Sequence, residues 1–469
     1  MLSDKPNLIY VFADQLRYDA LGFNGNENAI TPELDALSEE CLCLDNAVSG
    51  HPVCAPYRAS LFTGKYTTST GMVINELRIN PEHETIAEVF NASGYETCYI
   101  GKWHLYANQL GHHYDVKNSF IPEGPDRLGF NDCFAAYNFH HEYYAPKAYY
   151  HLNSSEKLEA EGYEPDFMTD YAITQLKRLK EGEKPFALFL SLGTPHDPWT
   201  KENVPAEYYE LFKNTAFSLP KNYSPRNDRH ADMWARLKPS ERRQLTEWMR
   251  VYSAMTANLS FNLGRLAAFL KESGLWESSL FVFTSDHGEM FGAQGRRAKN
   301  IFYEEAIKVP FLMHFADRLP AGRGKFVLNT VDIMPSLLSL MGLPVPESVQ
   351  GKDLSLCMLK GDSCPSGEGE ALLMGTGPTA IYGNGREWRG IRTAGWLYAV
   401  YRSDGEEHLY NLEEDPLEMH NLAGEAAFSR KKEELKALMH SKMEEIGDEF
   451  LTCRQFKRKH IKNRIIQKI

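Results

Sequence analysis

No stretch of this 469-residue chain approaches the run of about 18 apolar residues that a membrane-spanning helix needs, so no membrane segment is expected. Positive charge is not in excess either. Lys and Arg number 51 against 63 Asp and Glu, a net charge of −12. That balance argues against a nucleic-acid binder, because affinity for polyanions is built from clustered cations. Cysteine is sparse and scattered: the eight, at 41, 43, 54, 98, 133, 357, 364 and 453, include no C-x-x-C pair. Such scatter predicts reduced thiols in a cytoplasm rather than a disulfide framework. The first residues, MLSDKPNLIYVFAD, lack a basic leader, an extended apolar core and a small-residue cleavage site, so no export signal is expected and the protein reads as cytoplasmic, of bacterial type. No internal repeat is visible.

What is present is bulk. The chain is too long for one ordinary core, and 24 Tyr with 25 Phe supply the apolar surface for a large interior. Asn7 to Ala13 is a continuous apolar run ending at Asp14, which reads as a strand buried on both faces. Similar runs at Thr97–Ile100, Phe186–Leu192 and Leu280–Phe283 each lead into Gly, Ser, His or Asp. Amphipathic segments between them (Thr31–Glu40, Thr85–Ser93, Thr169–Glu181, Glu241–Ser273) read as helices. Strand alternating with helix predicts an α/β fold with a large, mainly parallel sheet sandwiched by helices, whose ligand crevice lies beyond the carboxyl ends of the strands.

The alternation fades after a helix at Val331–Leu343, and Lys360–Glu370, rich in Gly, Ser and charge, reads as a linker. Short strand patterns over 371–412 and a helical Ala426–Glu445 predict a small α+β subdomain with an antiparallel sheet. The expected division is a catalytic domain at 1–365 and a C-terminal subdomain at 366–469. The last stretch, 451–469, carries seven Lys or Arg and no acid. It reads as a solvated tail or packed terminal helix, with contact to an anionic partner the alternative.

The most informative segment is His51-Pro52-Val53-Cys54-Ala55-Pro56-Tyr57-Arg58, followed by Thr63-Gly64. An ordinary cysteine here would be a small buried apolar residue. Its neighbours argue otherwise: Arg58, one helical turn beyond, can offset negative charge at position 54. Two strand ends, Asp14-Gln15 and Asp286-His287, offer oxygen and nitrogen donors for a divalent ion, although either acid alone would be an ordinary turn former.

With its C-x-P-x-R and T-G, the segment resembles the type I sulfatases of the alkaline-phosphatase superfamily, whose cysteine here is oxidised to formylglycine (3-oxoalanine) by a maturase. In such enzymes one hydroxyl of the hydrated aldehyde attacks sulfur and expels the alcohol, and loss of the other's proton releases sulfate. The resemblance implies a sulfuric ester hydrolase with metal ligands Asp14, Gln15, Cys54, Asp286 and His287. Ca²⁺ is the expected ion, with Mg²⁺, Mn²⁺ or Zn²⁺ as alternatives, since Gln15 and His287 depart from the usual Asp and Asn. Gly101-Lys102-Trp103-His104 resembles the family's G-K-W-H, implying that Lys102 contacts sulfate and that His104 orients or deprotonates the nucleophile. Pro195-His196 resembles its P-H loop, implying that His196 protonates the leaving alcohol. Lys299, ahead of Tyr303-Glu304-Glu305, matches its sulfate-binding lysine. His408 to Leu422 resembles a C-terminal family turn, so the likeness spans about residues 7–425.

The expected substrate is a small-molecule or oligosaccharide sulfate ester, a sulfated sugar before an aryl or steroid sulfate. An aromatic, His-rich stretch between His104 and Thr169 is read either as a specificity surface or as packed core. The Asp-Gln and Asp-His pairs are also those of phosphonate monoester hydrolases, the alternative enzyme; a binding protein with an unmodified Cys54 is the alternative of another class.

Overall fold

A computed structural model describes residues 5–107, 115–223, 230, 232–361, 364 and 369–469. The boundary expected at 365–366 and most of the expected linker lie outside the described residues.

Eight strands form the central sheet: β1 (Asn7–Ala13), β2 (Leu42–Val48), β3 (Glu96–Lys102), β4 (Cys133–Tyr137), β5 (Phe186–Leu192), β6 (Ser279–Ser285), β7 (Phe311–Phe315) and β8 (Gly322–Asn329). Their order is β8-β2-β7-β6-β1-β5-β3-β4. All run parallel except β7, which is antiparallel to both of its neighbours. The apolar run of β1 lies at the middle, pairing with β5 and β6. Leu8, Tyr10 and Phe12 join one core cluster and Ile9, Val11 and Ala13 the other, all without exposure. Burial on both faces is why the sequence shows no polar alternation there.

One face is covered by helices α1 (Pro32–Ser38), α4 (Glu164–Glu181) and α5 (Pro239–Ser273), through Leu34, Leu176, Leu263 and Leu270. The other is covered by α2 (Cys54–Thr63), α3 (Ile86–Ala92) and α6 (Thr330–Leu340), through Phe62, Phe90 and Leu337. Local chemistry sets the ends of these helices. Thr85 and Glu88 form a capping box at the start of α3, and α5 opens with Pro239 and stops at Gly274 in the left-handed region. Among the described residues no helix is long and apolar enough to cross a membrane.

A second sheet, antiparallel, is made by β9 (Glu370–Gly375), β10 (Trp388–Thr393), β11 (Trp396–Tyr401) and β12 (Glu407–Asn411) in that order. Its side chains alternate between two covered faces. Leu373, Leu397 and Tyr410 pack towards Phe302, Tyr303 and Ile307 of the main body, while Leu372, Ile391 and Leu409 pack under α7 (Ser429–Glu445) through Leu435 and Met439.

The basic terminal stretch folds as helix α8 (Cys453–His460) and a two-strand turn at 461–466, with Cys453, Phe456 and Ile466 buried. One expectation is corrected. Cys357 and Cys364 are joined as a disulfide, whereas the remaining six cysteines are free and buried. A helix at Ser355–Lys360 ends at Gly361, at φ 71°, and the Cα atoms of the two cysteines lie 4.3 Å apart. Sequence spacing carries no sign of this pairing.

Candidate active site

Every polar residue singled out from the sequence lies beyond the carboxyl end of a parallel strand. Asp14 and Gln15 follow β1, Cys54 and Arg58 follow β2, Lys102 and His104 end and follow β3, His196 follows β5, and Asp286, His287 and Lys299 follow β6. The described structure brings all of them to one place.

Helix α2 presents the cysteine. Cys54 is its first residue, and Pro56 sits in the first turn, where the missing N–H has no intrahelical acceptor to lose. The Ala55 N–H donates to Asn75 Oδ1 at 3.0 Å. The positive end of the helix favours an anion at position 54. All ten residues of α2 are buried, and Gly64 closes it at φ 62°, where a Cβ would come within 2.8 Å of Val349. That is the physical content of the Thr63-Gly64 pair: only glycine meets both conditions.

Arg58 has no exposed surface. It donates from Nη1 to Asp286 Oδ2 at 2.7 Å and to the Cys54 carbonyl at 3.1 Å, and from Nη2 to Asp14 Oδ2 at 3.2 Å and Ser191 Oγ at 3.0 Å. One guanidinium fork thus ties the ends of β1, β5 and β6 to α2. Lys102 Nζ donates to Asp14 Oδ2 at 2.7 Å. Gly101 lets the two strands approach: at φ 101°, an added Cβ would lie 2.0 Å from the Ser191 carbonyl oxygen.

Cys54 Sγ lies 3.1 Å from Lys299 Nζ, 3.3 Å from His287 Nε2 and 3.6 Å from Asp14 Oδ1. Burial alone would raise its pKa. Lys102, Lys299 and His287, with His104 close by, outweigh that and hold the thiol well below its ordinary value. Burial and the Cys54 charge push Asp14 up, but Lys102, His196 and Arg58 carry it far below the usual carboxylate range. Asp286 is raised, by burial and then by Asp14. Lys299 also donates to Gln15 Oε1 and to His196 Nε2, each at 3.0 Å. His104 faces Phe139 edge-on and sets Nε2 3.6 Å from Glu76 Oε1. Gln15, His104, Ala298 and Asn300 all have positive φ without being glycine, so backbone strain gathers at this rim.

Asp14, Cys54, Asp286 and His287 each offer a ligand atom within 4.8 Å of one another. His287 Nδ1 is 2.9 Å from the Gly288 carbonyl, which can only accept, so Nδ1 carries the proton. Nε2 then faces the carboxylates of Asp286, at 3.5 Å, and Asp14, at 3.9 Å. Oxygen and nitrogen donors converging on one point are the donor set that a divalent cation takes. Two carboxylates, an imidazole and the side chain at 54 therefore fit a divalent ion.

Several contributors carry no strong signal in the sequence. Glu289 accepts from the Gln15 side-chain amide and from the backbone N–H groups of Phe291, at 3.1 Å, and Ala298, at 2.8 Å, fixing the loop that carries Lys299. His141 stacks on His196 with ring centroids 4.1 Å apart. Tyr143 donates towards the carbonyls of Gly193 (2.7 Å) and His196 (2.8 Å), steadying the His196 loop. The aromatic stretch is largely core: Tyr137, Tyr143, Tyr149 and Tyr150 are buried, while Phe139 packs on His104 and His141 on His196 at the site rim. Residues 108–114 of that stretch lie outside the described residues.

Comparison with known proteins agrees with this geometry. Residues 6–343 match the Sulfatase family profile, and residues 292–447 match the C-terminal region of N-sulphoglucosamine sulphohydrolase. An ulvan-active sulfatase of Formosa agariphila is 36% identical over 451 residues, covering 95% of this chain and 82% of the relative. An N-acetylglucosamine-6-O-sulfatase of Bacteroides thetaiotaomicron is 25% identical, covering 95% of this chain and 87% of its own. Among solved structures, a candidate sulfatase, yidJ of Bacteroides fragilis, superposes with a TM-score of 0.84 at 27% identity, covering 97% of this chain and 98% of that one.

Proposed function

The chain belongs to the sulfatase family, and we propose that it hydrolyses sulfate esters of carbohydrates with the side chain at position 54 as nucleophile. Family membership implies a metal ion and a formylglycine; bound together they supply a polarising cation and an aldehyde-hydrate oxygen in place of the thiol. Asp14, Gln15, Asp286 and His287 would hold the ion beside residue 54. We assign Ca²⁺ from the resemblance, with His287 the donor that would favour Mn²⁺ or Zn²⁺, and elemental analysis of the purified protein reads the ion directly.

The remaining roles follow from position. Arg58 fixes both carboxylates and faces the nucleophile from beneath. Lys102 and Lys299 place fixed positive charge where negative charge grows on the transferring sulfuryl group, preorganised and away from water. His104, beside residue 54, takes its proton. His196 donates Nδ1 to the Asp197 carbonyl at 2.8 Å, which leaves Nε2 facing the Lys299 ammonium at 3.0 Å. That pair delivers a proton to the leaving alcohol. Sulfated glycan is the favoured substrate class because the ulvan-active and N-acetylglucosamine-6-O-sulfatase relatives are named for such substrates.

The observation that carries the reading is Cys54 Sγ within 3.6 Å of Lys299, His287 and Asp14 together. After expression with a maturase, the Cys54 peptide is expected to be lighter by about 18 Da. The same protein should cleave p-nitrophenyl sulfate, and Cys54→Ala should lose that activity while still folding. Gln15 and His287 give a phosphonate monoester hydrolase as the second reading. A much higher kcat/KM on a phenylphosphonate ester would establish it instead, and an unmodified, inactive protein would leave a binding role.

A further inference from the structure

Immediately beyond Lys299 the surface opens into a pocket of about 170 Å³, lined by Arg296, Arg297, Lys299, Asn300, Arg386 and Trp388, with His230, Asp232 and Tyr401. Among the described residues, four permanent cations face one carboxylate there, in a protein whose net charge is −12. Concentrated charge of one sign in a concave, low-dielectric setting focuses the potential and selects ligands of opposite sign.

The pocket is built rather than incidental. Asp232, its one acid among the described residues, has its oxygens on backbone donors: Oδ1 accepts from Trp234 N at 2.7 Å and Oδ2 from Arg297 N at 2.8 Å. It therefore shapes the loop. Arg296 is held in place by donating, among its contacts, to the His230 carbonyl and the Tyr401 hydroxyl. Arg297 lies over the faces of Trp234 and Trp248, with Nη2 3.7 Å from the Asp197 carboxylate and 41% of its own side chain exposed. Arg386 stands exposed at the mouth and has no hydrogen bond or ion pair among the described residues. Its turn is nevertheless anchored. Glu387 accepts from Gly385 N and from Cys453 N, each at 2.7 Å, and Trp388 Nε1 donates to the Asn300 carbonyl at 3.1 Å.

Lys299 belongs to both places, since its Nζ is 3.1 Å from Cys54 Sγ while its side chain forms the pocket's inner wall. Arg297 is two residues away, at most about 7 Å along the loop. Resting on the sulfatase reading above, we propose that this pocket is a subsite for a second anionic substituent, carboxylate or sulfate, carried on the same sugar as the ester being cleaved or on its neighbour. Bidentate guanidinium recognition suits either group.

The test uses the matured enzyme turning over p-nitrophenyl sulfate, with competition by a panel of sulfated, uronate-containing disaccharides from heparin and chondroitin and the uronate methyl ester of each. A second arm compares mono- and disulfated N-acetylglucosamine, separating a carboxylate source from a sulfate source. Binding of the same panel to Cys54→Ala by calorimetry gives a readout without turnover. In at least one arm the ligand with the extra charge is expected to bind about tenfold more tightly, with that ratio falling to about threefold or less in Arg386→Gln and Arg297→Gln and largely restored in Arg386→Lys. Equal affinity within every pair, or a ratio unchanged by the substitutions, overturns the subsite while leaving the sulfatase reading intact. Failure of the matured enzyme to cleave any sulfate ester overturns both.

Discussion

Arg58 carries the heaviest structural duty of any single side chain at the site, because Asp14 and Asp286 both lie against it at zero exposure. Arg58→Met would leave two buried carboxylates without that counter-charge. The expected loss is about 3–5 kcal/mol, read as a lower urea midpoint. Arg58→Lys should lose less but not recover, since one ammonium cannot reach both acids in the same fork geometry. Glu164 offers a second test, through pH. Burial raises its pKa to about 8, against the opposing pull of Tyr137 and Lys102. The native state thus keeps a proton that the unfolded chain gives up at about pH 4.3, the ordinary value for a glutamate. Stability from this group is complete below that pH and falls as pH rises towards about 8. Glu164→Gln should therefore gain on the wild type between pH 5 and pH 9 in parallel melts; a difference constant across that range would contradict the sign. At this scale the sequence was readable wherever a residue sat in a motif, as for Cys54, Lys102 and Lys299. It was silent on Glu289 and Tyr143, whose importance comes from neighbours far away in the chain.

Among the elements, strand β3 depends on a backbone approach that no side chain can tolerate. Gly101→Ala combines φ 101° with a Cβ 2.0 Å from the Ser191 carbonyl, so a loss of about 3 kcal/mol or more, or no soluble protein, is expected. Gly94→Ala is the control. Its φ is 84° but nothing lies within 4 Å, and it should cost only about 1–2 kcal/mol. Elements with strong periodicity were legible: β5 runs Phe186–Leu192 as the apolar run implies, and α5 ends at Ser273 as expected. Helix α4 begins at Glu164, ahead of the expected Thr169, because Pro165 suits the first turn and the amphipathic pattern begins only afterwards. The reversed direction of β7 was not legible, since a fully buried strand reads the same whichever way it runs.

Taken whole, the molecule is closed by its own last residues. Arg78 N donates to the Arg464 carbonyl at 2.8 Å, Arg464 reaches back to the Glu76 carbonyl, and Phe456 and Ile466 are buried in the core that holds α2. Truncation after residue 450 should lower the melting temperature by several degrees. Neutralising the exposed Arg454 and Arg458 to Gln should leave it within about a degree, because solvated charges contribute little. The positive run belongs to the packed terminal helix that was one of its expected readings, and composition alone could not choose between that and a solvated tail.

The central position of β1 sets a timetable for synthesis. Its hydrogen-bonding partners begin at residues 186 and 279, so this strand, made before the rest of its sheet, is among the last to be paired on both edges. Such distant pairing makes folding slow and leaves an apolar segment uncovered while translation continues. A nascent chain interrupted before β6 would have the cysteine and half of the carboxylates but nowhere to assemble them, and its exposed first strand would be a natural client for chaperones.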